Sequence, residues 1–191
     1  MNKIVLLGDS ITAGVVDGYP SALFTTKLRQ ALNMGDLDII NRGIPGDETK
    51  YAVQRLQADV LSANPDIVTI FFGTNDAANE KTTLESYKKD LTTMVEAIGA
   101  QKCILITPGI TGPTRQVFRP LSRLHQYALA TQEVAVKHNV SFLDWYDIAF
   151  KHQGENLLQA DDIHYSQAGY DLLIENLVPL LKEKLITKEI L

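Results

Sequence analysis

The stretch "KIVLLGDSITAG" (residues 3–14) runs four apolar residues, Ile4 to Leu7, straight into Gly8, Asp9 and Ser10. A short continuous apolar run suits a strand covered on both faces, as in a parallel sheet, rather than a strand with one wet face. Small and polar residues then occupy the point where the chain must change direction. Ser10 therefore falls at the carboxyl rim of the expected sheet, where it either serves a turn or is presented for chemistry.

Runs of the same kind recur as "LDIIN" (37–41), "DIVTIFFG" (66–73), "KCILIT" (102–107) and "VSFLD" (140–144). The intervals have helical spacing. Pro20 suits the first residue of a helix whose stripe is Phe24, Leu28 and Ala31/Leu32. Val53, Leu56 and Val60 form a second stripe, stopped before Pro65. "TTLE" (82–85) reads as a capping box ahead of Tyr87, Leu91, Met94, Val95 and Ile98, with Gly99 as the stop. Leu121, Leu124, Ala128 and Ala135 fit a fourth helix, and a last one runs from Ser166 through Leu173, Leu177 and Leu181 with a kink at Pro179. This alternation predicts an α/β fold: a three-layer α/β/α sandwich around a flavodoxin-like, five-stranded parallel sheet of order 2-1-3-4-5. One domain, residues 1–191, is expected. The irregular "PGITGPTRQVF" (108–118) is either a substrate loop or a mobile connector.

Composition narrows the function classes. The chain has 191 residues, 45% of them hydrophobic and 21% charged, with a formal net charge of -5. A chain of this size buries roughly 70% of its unfolded surface and needs no staple. The acidic balance argues against a nucleic-acid partner. The lack of a long apolar run argues against integral membrane association, and the strand at the amino terminus leaves no room for a secretory leader. Cys103 stands alone, so neither an internal disulfide nor a cysteine metal site is expected. The expectation is a cytoplasmic protein without cofactor or metal; oligomeric state is not legible.

In such sheets ligands bind beyond the carboxyl ends of the strands. Strand 1 delivers Gly8, Asp9 and Ser10; strand 2 delivers Asn41, Arg42, Gly43 and then Gly46; strand 3 delivers Gly73, Thr74, Asn75 and Asp76. The segment before the last helix, "ADDIHYS", adds Asp161 and His164. A serine becomes a nucleophile when a base takes its proton, and histidine is the base suited to neutral pH. The histidine needs an acceptor on its other nitrogen, which Asp161, three residues earlier, can supply. A tetrahedral intermediate needs donors where charge develops; the Ser10 and Gly43 N–H groups and the Asn75 amide are the candidates.

Other polar residues read as structural. Asp9 serves the turn, Asp76 a helix start or loop, and Asp162 is a competitor of Asp161 with less suitable spacing. His125, His138 and His152 are scattered, with no metal-ligand spacing. Arg42 reads as a surface ion pair, Thr49 as helix entry, Tyr51 as core edge, Tyr165 as rim and Ser166 as the cap of the last helix.

Taken together, "GDSITAG", "NRGIPGDET", "FFGTNDA" and "DDIHYSQAGY" resemble the four blocks of the SGNH, or GDSL-type, hydrolases. The resemblance implies Ser10 as nucleophile, Asp161 and His164 as its partners, and Ser10, Gly43 and Asn75 as the oxyanion hole. Ile11 stands where leucine is usual. The resemblance implies a carboxylic ester hydrolase acting on small-molecule esters or thioesters through an acyl-enzyme; the lack of a long lid-like insertion favours short-chain acyl esters, with a lysophospholipase or thioesterase as the alternative. Ile44, Ile110 and Phe118 are expected to line the substrate pocket. The rival from another class is a flavodoxin-like module whose first loop holds a phosphate or nucleotide. The chain lacks both G-x-x-x-x-G-K-[ST] and G-x-G-x-x-G.

Overall fold

The computed structural model describes residues 2–189, and its five strands form one parallel sheet in the order β2-β1-β3-β4-β5. The strands are β1 (Asn2–Gly8), β2 (Leu37–Gly43), β3 (Ile67–Phe71), β4 (Cys103–Ile106) and β5 (Ser141–Leu143). The helices are α1 (Leu23–Leu32), α2 (Thr49–Asp59), α3 (Leu84–Ile98), α4 (Leu121–His138), α5 (Trp145–Lys151) and α6 (Gln167–Glu189). They lie on both faces of the sheet, α1 packed on α6 and α2, α3 and α4 in a row. Ile4 to Leu7, Val68, Ile70 and Ile104 to Ile106 are all but completely buried, as two-sided cover requires.

Register sets up the rim. Gly8 pairs with Gly43 and Phe71, Phe71 with Ile106, and Ile106 with Leu143, so the five strands end almost in line. Everything that follows those residues emerges on one side.

Local boundaries depart from expectation for identifiable reasons. The first helix starts at Leu23 rather than Pro20, because Ser21 donates its hydroxyl to the Gly14 carbonyl and its N–H to that of Ala13. That pins residues 20–22 against the turn after β1; within the helix Leu32, not the exposed Ala31, completes the buried stripe. The capping box shifts by one: Thr83 accepts from the Ser86 N–H, and the Ser86 hydroxyl accepts from the Thr83 N–H. Thr82 is unavailable because its hydroxyl donates to buried Glu48 at 2.8 Å. Helix α5, capped by the Asp144 carboxylate, had no clear apolar period in seven residues. Pro179 lies inside α6.

Candidate active site

Ser10 sits in a tight turn of residues 9–15 immediately beyond β1. The Asp9 carboxylate accepts the Ile11 N–H at 2.9 Å, the Asp9 carbonyl accepts that of Ala13, and the Ser10 carbonyl accepts that of Val15. These bonds, with the Gly14 N–H donated to Ile11, occupy the N–H groups of Ile11, Ala13, Gly14 and Val15, which a phosphate cradle would draw on. The next helix begins only at Leu23, so the turn lacks a helix N-terminus as well. Both features weigh against the alternative of a phosphate- or nucleotide-binding module.

Two side chains far along the sequence lock this turn to the last loop. Gln159 donates to the carbonyls of Val15 and Tyr165 and accepts the Asp17 N–H. Tyr170, on α6, donates its hydroxyl to the Ile11 carbonyl at 2.7 Å. The result is that the Ser10 Oγ and His164 Nε2 lie 2.9 Å apart, and His164 Nδ1 lies 2.5 Å from Asp161 Oδ2. The other Asp161 oxygen accepts the N–H groups of Ile163 and His164. Burial works against the Asp161 charge, but those N–H groups and the imidazole outweigh it and hold the carboxyl below its ordinary range. Hydroxyl, imidazole and carboxylate in one line are the arrangement by which a serine loses its proton.

The glycine expected to donate to an oxyanion is placed differently. Gly43 gives its N–H to Asn41 Oδ1 at 2.9 Å, so that donor is already used. A side chain at Gly43 would stand 2.2 Å from the Ala13 nitrogen; the glycine lets the two strand ends nest against the 9–13 turn. Immediately after Gly43, Ile44 to Asp47 forms a turn closed by the Asp47 N–H to the Ile44 carbonyl, with Gly46 at φ +80°. Pro45 followed by Gly46 is the sequence signature of a type II turn, and it could have singled out Gly46. The Gly46 and Ser10 N–H groups meet no acceptor among the described residues. Asn75 adjoins that turn, donating Nδ2 to the Asp47 carbonyl at 3.0 Å and pointing toward Asp9 Oδ2 at 3.4 Å.

The expected pocket residues diverge. Ile44 and Phe118 are 44% and 66% exposed, whereas Ile110 is 6% exposed and packs with the core. The 108–118 segment is tied down rather than loose: Gly112 N–H reaches the Asp162 carbonyl, and Thr114 donates twice to the Asp162 carboxylate. Asp162 is thereby a loop anchor. Arg115 and Arg119, which the sequence did not single out, donate to the Asp161 carbonyl and to Thr74 and Asn75. Arg42 donates to the Asp59 carbonyl rather than to a carboxylate, and Tyr165 is fully buried, accepting from Trp145. His125 stacks on Tyr146 and His152 meets Glu155. Among the described residues no group of His, Cys, Asp and Glu is arranged to hold a metal, and no helix is long and apolar enough to cross a membrane.

Asp9 and Asp76 are buried carboxyls beneath this rim. Burial pushes Asp9 up to about 7, against its bond from Ile11 and with help from Asp76 and Asp47; burial raises Asp76 to about 6. A folded-state pKa above the unfolded 3.8 stabilises fully below that value and loses the contribution as pH climbs toward the folded value. Asp9→Asn should therefore flatten the fall in stability between about pH 4 and pH 7, read as melting temperature against pH, where each kcal/mol is worth about 2–4 °C in a domain this size. An unchanged slope would mean that Asp9 ionises in the fold as it does in the unfolded chain.

The chain is similar to known proteins over nearly its whole length. The model of the GDSL-like lipase/acylhydrolase family matches residues 6–172. The crystal structure of a lipase/acylhydrolase from Enterococcus faecalis superposes with a TM-score of 0.90 at 39% identity, covering 96% of this chain and 97% of that one. The isoamyl acetate-hydrolyzing esterase 1 homolog of Mus musculus is 30% identical over 95% of this chain and 82% of its own length. An acetylxylan esterase of Geobacillus stearothermophilus is 26% identical over 90% of each chain. The chain belongs to the GDSL-like lipase/acylhydrolase family, and it is a carboxylic ester hydrolase.

Proposed function

We propose that the enzyme hydrolyses short-chain acyl esters through a Ser10–His164–Asp161 triad and an acyl-enzyme. His164 Nε2 takes the Ser10 proton as Oγ attacks the ester carbonyl, and Asp161 stabilises the imidazolium. The carbonyl oxygen gains the charge, held by the N–H groups of Ser10 and Gly46 and by Asn75 Nδ2. His164 gives its proton to the leaving alcohol. Water then enters, loses a proton to His164 and attacks the acyl carbon, and the proton returns to Ser10 as the acid departs. Gly46 replaces Gly43 in this scheme because its N–H is unspent.

The observation that carries the reading is the unbroken line from Ser10 Oγ through both imidazole nitrogens to a carboxylate. Relatives named for isoamyl acetate and acetylxylan support acetyl-sized acyl groups. A fluorophosphonate probe should label the protein stoichiometrically, and Ser10→Ala should abolish the labelling. A series of p-nitrophenyl esters from acetate to laurate should give the highest kcat/KM at the short end; a maximum at laurate would overturn the short-chain preference and favour a lysophospholipase-like substrate. Asn75→Ala is expected to lower kcat by about ten- to a thousandfold with little change in KM, since the donor acts on charge that develops in the transition state. A rise in KM alone would make Asn75 a ground-state contact.

A further inference from the structure

Arg119 lies between the 108–118 segment and α4, half-buried, and its own backbone is held from both sides. Its N–H reaches the Arg115 carbonyl at 2.9 Å, and its carbonyl accepts the Thr111 hydroxyl at 3.0 Å. From that base the guanidinium spans two consecutive residues: Nε donates to the Thr74 carbonyl at 3.0 Å and Nη2 to Asn75 Oδ1 at 3.1 Å. Asn75 is thus gripped at both ends of its amide, Oδ1 by a cation and Nδ2 by the Asp47 carbonyl at 3.0 Å, and its second N–H has only the long 3.4 Å contact with Asp9 Oδ2, from which a stronger acceptor can draw it.

We propose that Arg119 is a positioning residue for the oxyanion arm, aiming and polarising the Asn75 amide so that Nδ2 meets the developing negative charge. The inference rests on the triad mechanism above. An amide has two ends of nearly equal size, and a cation bound to the oxygen end dictates which end faces the reacting atoms. A charge-assisted bond to Oδ1 also draws electron density through the amide and makes each Nδ2–H a stronger donor. The guanidinium suits this because a rigid planar fork reaches a backbone carbonyl and a side-chain oxygen together in a fixed geometry, which an ammonium on a flexible stem does not impose. The role is separable from loop anchoring. Arg115 on the Asp161 carbonyl, Thr114 on the Asp162 carboxylate and Gly112 on the Asp162 carbonyl dock the same segment without Arg119.

The test is a double-mutant cycle on p-nitrophenyl acetate with kcat and KM measured separately. Arg119→Met should lower kcat by about ten- to a hundredfold and move KM by less than about threefold, part of what one oxyanion donor is worth. In the Asn75→Ala background the same change should cost less than about threefold, because the arm it serves is gone. Arg119→Lys should recover little of the loss, and carries the same cycle if the methionine variant does not fold. A kcat insensitive to either substitution, or a loss that persists in full without Asn75, overturns the role. Should the wild type neither turn over esters nor bind the fluorophosphonate, the triad mechanism itself falls; wild-type turnover that depends on Asn75 but not on Arg119 removes this inference alone.

Discussion

Ser10→Ala is expected to lower kcat on an acetyl ester by at least about a thousandfold, the scale on which an acyl-transfer triad loses rate when a member is removed. The Ser10 Oγ is the hydroxyl within reach of His164 Nε2. Thr12, two residues on, cannot stand in for it: it is 1% exposed, with its Oγ1 enclosed and unpartnered among the described residues. The variant should fold normally, because the turn is held by Asp9, Gln159 and Tyr170 rather than by the serine hydroxyl. Residual turnover above that of water is expected from the untouched donors. Near-normal kcat in a folded Ser10→Ala protein would refute the nucleophile assignment.

The next largest effect belongs to Asp161→Asn. One oxygen of Asp161 accepts two backbone N–H groups and the other faces His164 Nδ1. An asparagine can keep its oxygen on the backbone pair, so the loop survives. Its NH2 then points at Nδ1 and donates, which forces the imidazole into the tautomer carrying its proton on Nε2. That nitrogen can no longer accept the Ser10 proton. The expected loss in kcat is about a thousandfold or more, with fluorophosphonate labelling slowed in proportion. An alanine at 161 leaves Nδ1 unpaired instead, without enforcing the wrong tautomer. If Asp161→Asn reacts as fast as the wild type, the carboxylate does not orient His164.

Much of this fold follows from short-range pattern. Each of the five expected strands exists, because an apolar run bounded by turn residues has few ways to hide except between two helix layers. The helices with a broad apolar stripe were equally legible. Errors gathered where one side chain had two competing partners, as with Thr82, taken by Glu48, and Ser21, taken by the turn after β1. Glu48 lies 34 residues from Thr82, and Gly14 lies 7 from Ser21, both outside the one-turn span that capping rules read.

The site divides in the same way. Ser10 and Asn75 were nameable as candidates from residue type and position at the strand ends, since parallel topology sends every strand end to one rim, and Asp161 and His164 from their three-residue spacing in the segment before the last helix. Which glycine keeps a free N–H was not, because Asn41 reaches back to occupy Gly43. The grips of Gln159 on Val15, Tyr170 on Ile11 and Arg119 on Thr74 and Asn75 were equally silent, joining residues 44 to 159 positions apart. Apolar periodicity and turn chemistry are local, and the linear chain carries them openly. The aim of a hydrogen-bond donor depends on which distant acceptors fold within about 3 Å of it, and that is settled only when the strands and loops have packed.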